Sequence, residues 1–394
     1  VDEAALPIAE EFPTFPEDTN SLLKQHLSQE IYDQLKDVKT SHGITLYDVI
    51  KCGVQSPNCT LGVLAQDEET YTTFAPLMDK IIEGYHQGYN LSDGHKRDLD
   101  PSHLGAAAEN PDPEGKYIKS TRIRVARNLK GHRLPGRVTP EERAEIEGKI
   151  VAALNSLDGE HAGTFYSLPT MSDEDRTRLE QDHFLFREEH GYFAFGGIYR
   201  DWAQSRGIYH NAEKTFLVWV NEEDELRIIS MQQGGDIGEV FTRLVGGIAK
   251  LEEKLDFLFD DQRGYVASCP SNLGTGMRAS VHIVIPNACK DPRFKEICDE
   301  LYLQPRGSHG EHSEASGGLY DISPKKRLGL TEVECAQALH EGARRLIALE
   351  KELAAAGGAE GTEESKDGAV DEAALPIAEE FPTFPEDTNS LLKQ

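Results

Sequence analysis

The sequence predicts an α+β fold, with a small all-α N-terminal domain and a large domain built on an antiparallel β-sheet flanked by helices. Three observations lead there. From about Asn20 to Tyr89 the apolar residues recur at helical spacing. Two β-branched runs, residues 215–220 (TFLVWV) and 226–231 (LRIISM), are separated by the acidic residues 221–225, a spacing that suggests a hairpin. Helices announced by capping residues are interspersed with these strands, and strands in close succession favour an antiparallel sheet over a doubly wound parallel one.

The elements follow in order. Leu22, Leu23, Leu27, Ile31 and Leu35, then Phe74, Leu77, Met78, Ile81 and Ile82, mark the helices of a small domain, residues 1–91. Residues 92–115 are crowded with Gly, Pro, Asp and Asn and read as an inter-domain linker. The large domain, residues 116–353, opens on STRIRVAR, which as a strand would point Arg122 and Arg124 to one face. Thr139 with Pro140 and Glu142 begins a helix with Ile146, Ile150, Leu154 and Leu157 on one side. Asp236 with Glu239 begins another, carrying Val240, Leu244, Ile248 and Leu251. Thr331 with Glu334 begins the last, ending near Gly357. Residues 354–369 form an acidic, Gly-rich linker. Residues 370–394 repeat residues 1–25 letter for letter. The chain thus reads as one unit, a linker and the start of a second repeat, whose apolar positions lack partners and are expected to be poorly ordered.

With 38% hydrophobic and 28% charged residues over 394 positions, the composition is that of a globular protein. No apolar run approaches the ~18 residues needed to span a bilayer, and VDEAALPIAEEF lacks the features of a signal peptide. The six cysteines show no C-x-x-C pairing. Reduced thiols in a cytoplasmic setting are therefore expected, with neither disulfides nor structural zinc. A net charge of −28 opposes binding to nucleic acid or anionic membrane. An anionic ligand would need a local concentration of arginine.

Such a concentration exists in the large domain: Arg122, Arg124, Arg227, Arg278 and Arg306. Singly each reads as a solvated surface charge; converging on a triphosphate would explain them together. Arg278 lies in CPSNLGTGMRAS, residues 269–280, where a glycine turn can bring N–H groups to an anion and Cys269 can supply a thiolate. From the residues alone, Cys269 reads first as a buried, inert cysteine. Likewise residues 221–225 (NEEDE) read first as a solvated acidic turn. The functional alternative is that Glu223 and Glu311, the latter in the glycine-flanked GSHGEHSEASGG, clamp a cation.

CPSNLGTGMRASVHI, STRIRVARNL, DHFLF, KTFLVWVNEEDELRIISM and RGSHGEHSEASGGLYDIS together resemble the phosphagen kinases, the guanidino kinase family that includes creatine and arginine kinases. The resemblance spans about Asn20 to Leu353. It implies reversible transfer of the ATP γ-phosphoryl group to a guanidine, with ATP/ADP and Mg²⁺ held mainly through phosphates and water, Glu222 a candidate contact and no direct metal ligand named. It also implies nucleotide binding by Arg122, Arg124, His183, Arg227, Arg278, His282, Arg306 and Asp321. The guanidinium falls to Glu223, Cys269 and Glu311, with Arg227 also catalytic. The short loop containing Cys59, Thr60, Leu61, Gly62 and Leu64, together with Tyr85, resembles the arginine-binding members and makes arginine the expected partner beside ATP. Leu64 departs from the usual tyrosine and leaves taurocyamine or another large guanidine as an alternative. Asn58 and Gly191 jointly depart from an inter-domain Asp–Arg pair, and His309 replaces a frequent arginine. The repeat implies a neighbouring unit in a tandem chain and leaves a catalytically silent scaffold as the non-enzymatic alternative.

Overall fold

The computed structural model describes residues 11–307 and 316–359. In the N-terminal domain Ser21, Ser28 and Thr45 each accept a hydrogen bond from the backbone N–H three residues on. They thereby open α1 (Leu22–His26), α2 (Gln29–Leu35) and α3 (Leu46–Gln55). Two further helices follow, α4 (Thr70–Thr73) and α5 (Ala75–Tyr85). Leu23, Leu27, Ile31, Leu35, Phe74, Leu77, Met78, Ile81 and Ile82 are all buried here, as their spacing predicts. The same apolar cluster continues into Tyr192, Val266, Cys269, Leu273 and Leu328. The small domain therefore shares its core with the large one along the CPSNL stretch.

The large domain carries one eight-stranded sheet. In chain order its strands are β1 (Ile118–Arg127), β2 (Gly163–Ser167), β3 (Gly207–Asn211), β4 (Phe216–Val220) and β5 (Leu226–Gln233). After a separate two-stranded ribbon of β6 (Phe259–Asp260) and β7 (Gly264–Tyr265) come β8 (Met277–Val284), β9 (Leu303–Gly307) and β10 (Leu319–Pro324). The spatial order is β2-β3-β4-β5-β1-β8-β10-β9. All these pairings are antiparallel, including the predicted β4–β5 hairpin.

Residues alternate between the two faces of a strand, and the register sorts them by chemistry. Ile123, Val125, Phe216, Val218, Ile228, Ala279, Val281 and Ile283 lie on one face, in a core with residues of α6 (Pro140–Leu154), α9 (Ile237–Glu252) and α11 (Glu332–Ala359). The other face carries Arg122, Arg124, Arg227, Arg278 and His282, which the register sets opposite Ser280, Arg278, Ala126, Arg124 and Ser120. The smaller helices α7 (Asp173–Gln181), α8 (Tyr192–Phe195) and α10 (Pro292–Glu300) complete the domain. Among the described residues no helix is long and apolar enough to cross a membrane.

The predicted caps form. Thr139 accepts from the Glu142 N–H at 3.2 Å and Asp236 from the Glu239 N–H at 2.8 Å. Thr331 and Glu334 close a reciprocal pair at 3.2 and 2.7 Å. Two linker expectations need correction. Residues 92–115 form a packed strap: Leu104 and Ala107 are buried in the main core, and Gln337 of α11 donates to the carbonyl of His103 at 3.0 Å. Apolar side chains among the polar residues give the strap a surface to bury. The expected linker over 354–369 is helical as far as Ala359, because the alanines after Leu353 favour continuing α11. The second repeat, Glu311 and His309 lie outside the described residues.

Candidate active site

Antiparallel pairing alone assembles the basic face. Arg124 on β1 is directly opposite Arg278 on β8, with Arg227 on β5 opposite Ala126, one pleat along from Arg124. Arg306 on β9 is opposite Asp321, which is itself opposite His282. Like charges opposed across a sheet are destabilising unless anions intervene. In the protein alone, carboxylates take part of that role. Arg278 donates to Asp321 at 2.6 Å, and Arg227 lies 2.8 Å from Glu223 and 3.1 Å from Glu222. Arg227 and Arg122 also lie over the Trp219 ring, 5.3 and 5.9 Å from its centroid. Arg306 donates to Gln304 at 3.1 Å.

These arginines face a cleft of about 530 Å³ whose walls include Arg124, Arg227, Arg278 and Arg306. Arg122 is buried and is not among the lining residues. His282 shares a hydrogen bond of 3.1 Å with Ser120, and burial lowers its pKa below the ordinary histidine value, favouring the neutral ring. His183 is exposed and does not line the cleft. It precedes Phe184, whose carbonyl accepts from the Trp219 indole at 2.9 Å, so it stands beside the basic face.

The acidic hairpin turn is not solvated. Glu222, Glu223, Asp224 and Glu225 are only 5, 5, 2 and 0% exposed. Each is held differently. Asp224 accepts from the Asn128 amide and the Ser268 N–H, both at 2.8 Å. Glu225 accepts from the Leu129 N–H at 2.6 Å. Glu223 alone of the four lines the cleft, where it accepts from Arg227 and from the Asn272 amide, both at 2.8 Å. Burial pushes its carboxyl up to about 8; Arg227 pulls it down, while Asp224 and Glu222 push it further up. The result is a buried acid beside Arg227 whose proton is held more tightly than that of an ordinary carboxyl.

Cys269 lies beside it in the same wall, 3.1 Å from the Ser271 hydroxyl. The arginines do not make it a thiolate in the unliganded protein. Burial and the nearby Glu223 charge push the thiol up to about 12. The glycine turn also differs from a phosphate cradle. The N–H groups of Gly274 and Thr275 bond to the carbonyls of Arg263 and Arg327 at 2.7 and 2.8 Å. A Cβ at Gly274, whose φ is +91°, would stand 2.1 Å from the Arg327 carbonyl oxygen. Glycine is required here by close backbone packing.

Across the cleft, Cys59, Thr60, Leu61 and Tyr85 present the small domain. The loop is hung from α1: the Leu22 and Leu23 N–H groups donate to the carbonyls of Thr60 and Leu61 at 2.8 and 2.9 Å. Gly62 shapes it with a φ of +87°. Leu64 does not line the cleft; it is fully buried, with its N–H bonded to the Val49 carbonyl at 3.0 Å. Its apolar side chain gains more by joining the small-domain core. Tyr192, Phe193, His86, Ser271, Asn272, Gln304 and Arg327 also line the cleft. Sequence reasoning could have found Asn272, inside a motif already singled out. Tyr192 and Phe193 carry no local signal and reach the site through the tertiary fold.

Two family models match the chain: the ATP:guanido phosphotransferase N-terminal domain over residues 17–83 and its C-terminal catalytic domain over residues 145–353. The chain is 49% identical over 352 residues to an arginine kinase of Anthopleura japonica. That match covers 87% of this chain but only 49% of the relative, so the chain spans about half that protein's length. It is 47% identical over 337 residues to the arginine kinase Lit v 2 of Penaeus vannamei, covering 85% of this chain and 94% of the relative. A crystal structure of a lombricine kinase superposes with a TM-score of 0.83 at 39% identity, covering 89% of this chain and 96% of that one.

Proposed function

The chain belongs to the ATP:guanido phosphotransferase family, and on that premise we propose that it reversibly transfers the γ-phosphoryl group of ATP to the guanidine of arginine, buffering cellular energy. The observation that carries this reading is Glu223, a buried carboxyl in the wall of a cleft that Arg124, Arg227, Arg278 and Arg306 also line. An anion-binding face and a cation-seeking carboxylate meeting in one cavity call for two substrates of opposite charge.

Phosphoryl transfer requires alignment and charge stabilisation more than covalent work by the protein. In this reading residues 116–353 hold the nucleotide through Arg122, Arg124, Arg227, Arg278 and Arg306. Phosphate oxygens would replace the carboxylates now paired with Arg227 and Arg278. His183, His282 and Asp321 complete the nucleotide site in this reading, Asp321 by holding Arg278 and His282 through its bond to Ser120 of β1. Residues 1–91 choose the guanidine, with Cys59, Thr60, Leu61 and Tyr85 around its non-reacting end. Glu223 orients the guanidinium by charge-assisted hydrogen bonds and accepts a proton as the nitrogen attacks. Glu311 is the proposed second clamp. A substrate cation beside Cys269 would offset the burial and carboxylate charge that disfavour its thiolate.

Mg²⁺ bound with the nucleotide would neutralise phosphate charge. It would be carried mainly on phosphates and water, with Glu222, paired with Arg227 at 3.1 Å beside the cleft, the candidate protein contact. The exact repeat motivates reading residues 370–394 as the start of a neighbouring unit, whereas the Penaeus vannamei relative is matched over 94% of its own length by this one unit. Six unpaired cysteines suit a reducing, cytoplasmic address.

The test is ATP-dependent turnover across arginine, taurocyamine, lombricine and creatine, with wild type and Glu311→Gln. We expect arginine to be preferred, and Glu311→Gln to lose turnover with little change in ATP affinity. Turnover of taurocyamine or lombricine but not arginine would favour the second reading, which the lombricine kinase likeness supports. Nucleotide binding without turnover on any guanidine would favour a scaffold.

A further inference from the structure

The loop that faces the guanidine is tied at both ends by backbone hydrogen bonds. On the small-domain side, Thr60 and Leu61 hang from α1 through the two bonds described above, and the Leu64 N–H reaches the Val49 carbonyl. On the large-domain side, the Ala65 N–H donates to the Ser268 carbonyl at 2.7 Å, directly before Cys269. Between these ties lies Val63, whose carbonyl accepts the Tyr192 hydroxyl at 2.6 Å. Tyr192 is 6% exposed and is also part of the cleft wall.

The contact is part of a broader seat. Tyr192 opens α8, and Gly191 before it has a φ of +101°. That left-handed turn is open to glycine and brings Tyr192 under the loop. At the other end of α8, a Cβ on Gly196 would stand 2.3 Å from the Leu64 Cδ1. The helix therefore abuts the loop twice, at Val63 by a hydrogen bond and at Leu64 by close packing. Burial raises the Tyr192 phenol well above its ordinary value, so it remains a donor throughout the neutral range.

We propose that Tyr192 is a specificity-setting positioning residue, acting through Val63 to hold residues 59–61 as a fixed wall against the non-reacting end of the guanidine substrate. This rests on the guanidino-kinase reading above. Physically, the phenol satisfies a buried carbonyl that has no other hydrogen-bond partner among the described residues, and it does so from the domain that carries Glu223 and Cys269. The loop is thereby registered against the reacting groups rather than against its own domain alone. A shift of the wall would alter guanidine binding while leaving the arginine-lined nucleotide face in place.

The discriminating variant is Tyr192→Phe, which removes the donor and keeps the ring. Turnover and equilibrium calorimetry are measured for wild type and variant with arginine, with the shorter glycocyamine, and with ATP or ADP. Loss of one buried hydrogen bond should raise the arginine KM and Kd about 5- to 50-fold. Nucleotide affinity should stay within about twofold, and the preference for arginine over glycocyamine should shrink. An unchanged arginine affinity and an unchanged preference would overturn the proposal. So would an equal loss of arginine and nucleotide binding, the mark of a general structural role. If wild type binds arginine yet turns over no guanidine, the catalytic reading fails separately, and the calorimetric comparison still decides the role of Tyr192.

Discussion

Protonation of Glu223 should govern how tightly the unliganded protein binds a guanidinium. The groups facing this carboxyl are Arg227, Arg124 and Asn272, with Glu222, Asp224 and Cys269 on the negative or neutral side. Burial dominates their sum and pushes the carboxyl up to about 8. A guanidinium pairs with the ionised form, so the sign is definite: affinity rises as pH rises toward that value and levels off above it. For one proton displaced on binding, the apparent Kd scales as one plus the ratio of protonated to ionised carboxyl. At about pH 6 roughly one site in 100 is ionised, so affinity should be about 100-fold weaker than at about pH 9, or ~2.7 kcal/mol. Calorimetry of arginine binding without nucleotide, in buffers of different ionisation enthalpy, reads both the affinity and the proton released. Glu223→Gln should bind weakly and lose this slope. A flat profile between about pH 6 and pH 8, or the same slope in Glu223→Gln, would refute the assignment of the titration to this carboxyl.

Two other outcomes follow from the same geometry. Because the Cys269 thiol is pushed up to about 12, its alkylation in the unliganded protein should be slow near neutrality and accelerate about tenfold per pH unit to about pH 10, followed by mass spectrometry; a rate that plateaus near pH 8 would contradict it. Asn128 donates to Asp224 and to the Val266 carbonyl at 2.8 and 3.0 Å and accepts from the Glu225 N–H at 2.9 Å. Removing these buried bonds with Asn128→Ala should destabilise the fold by about 3–5 kcal/mol in urea denaturation, and a loss below about 1 kcal/mol would show that the turn is held by its other contacts.

By itself the sequence determined what is written in local chemistry. The β4–β5 hairpin follows from two β-branched runs and a short turn, and the helix starts from Thr139, Asp236 and Thr331 and their caps. The identity of the arginines, Glu223 and Cys269 is equally local, since motifs record which side chains are present. Only the tertiary structure decided how those groups are charged and paired. Burial of residues 222–225 depends on Asn128 and Ser268, far away in the chain, so a run that reads as a solvated turn becomes a buried, hydrogen-bonded one. The same burial pushes the Cys269 thiol up, in line with the buried cysteine that the residues alone suggest. Packing, too, moved Leu64 out of the cleft and into the core while bringing Tyr192 into the wall, because the loop's position is set by contacts from both domains. Residue types are local properties; desolvation and docking are sums over distant neighbours, and no stretch of sequence contains them.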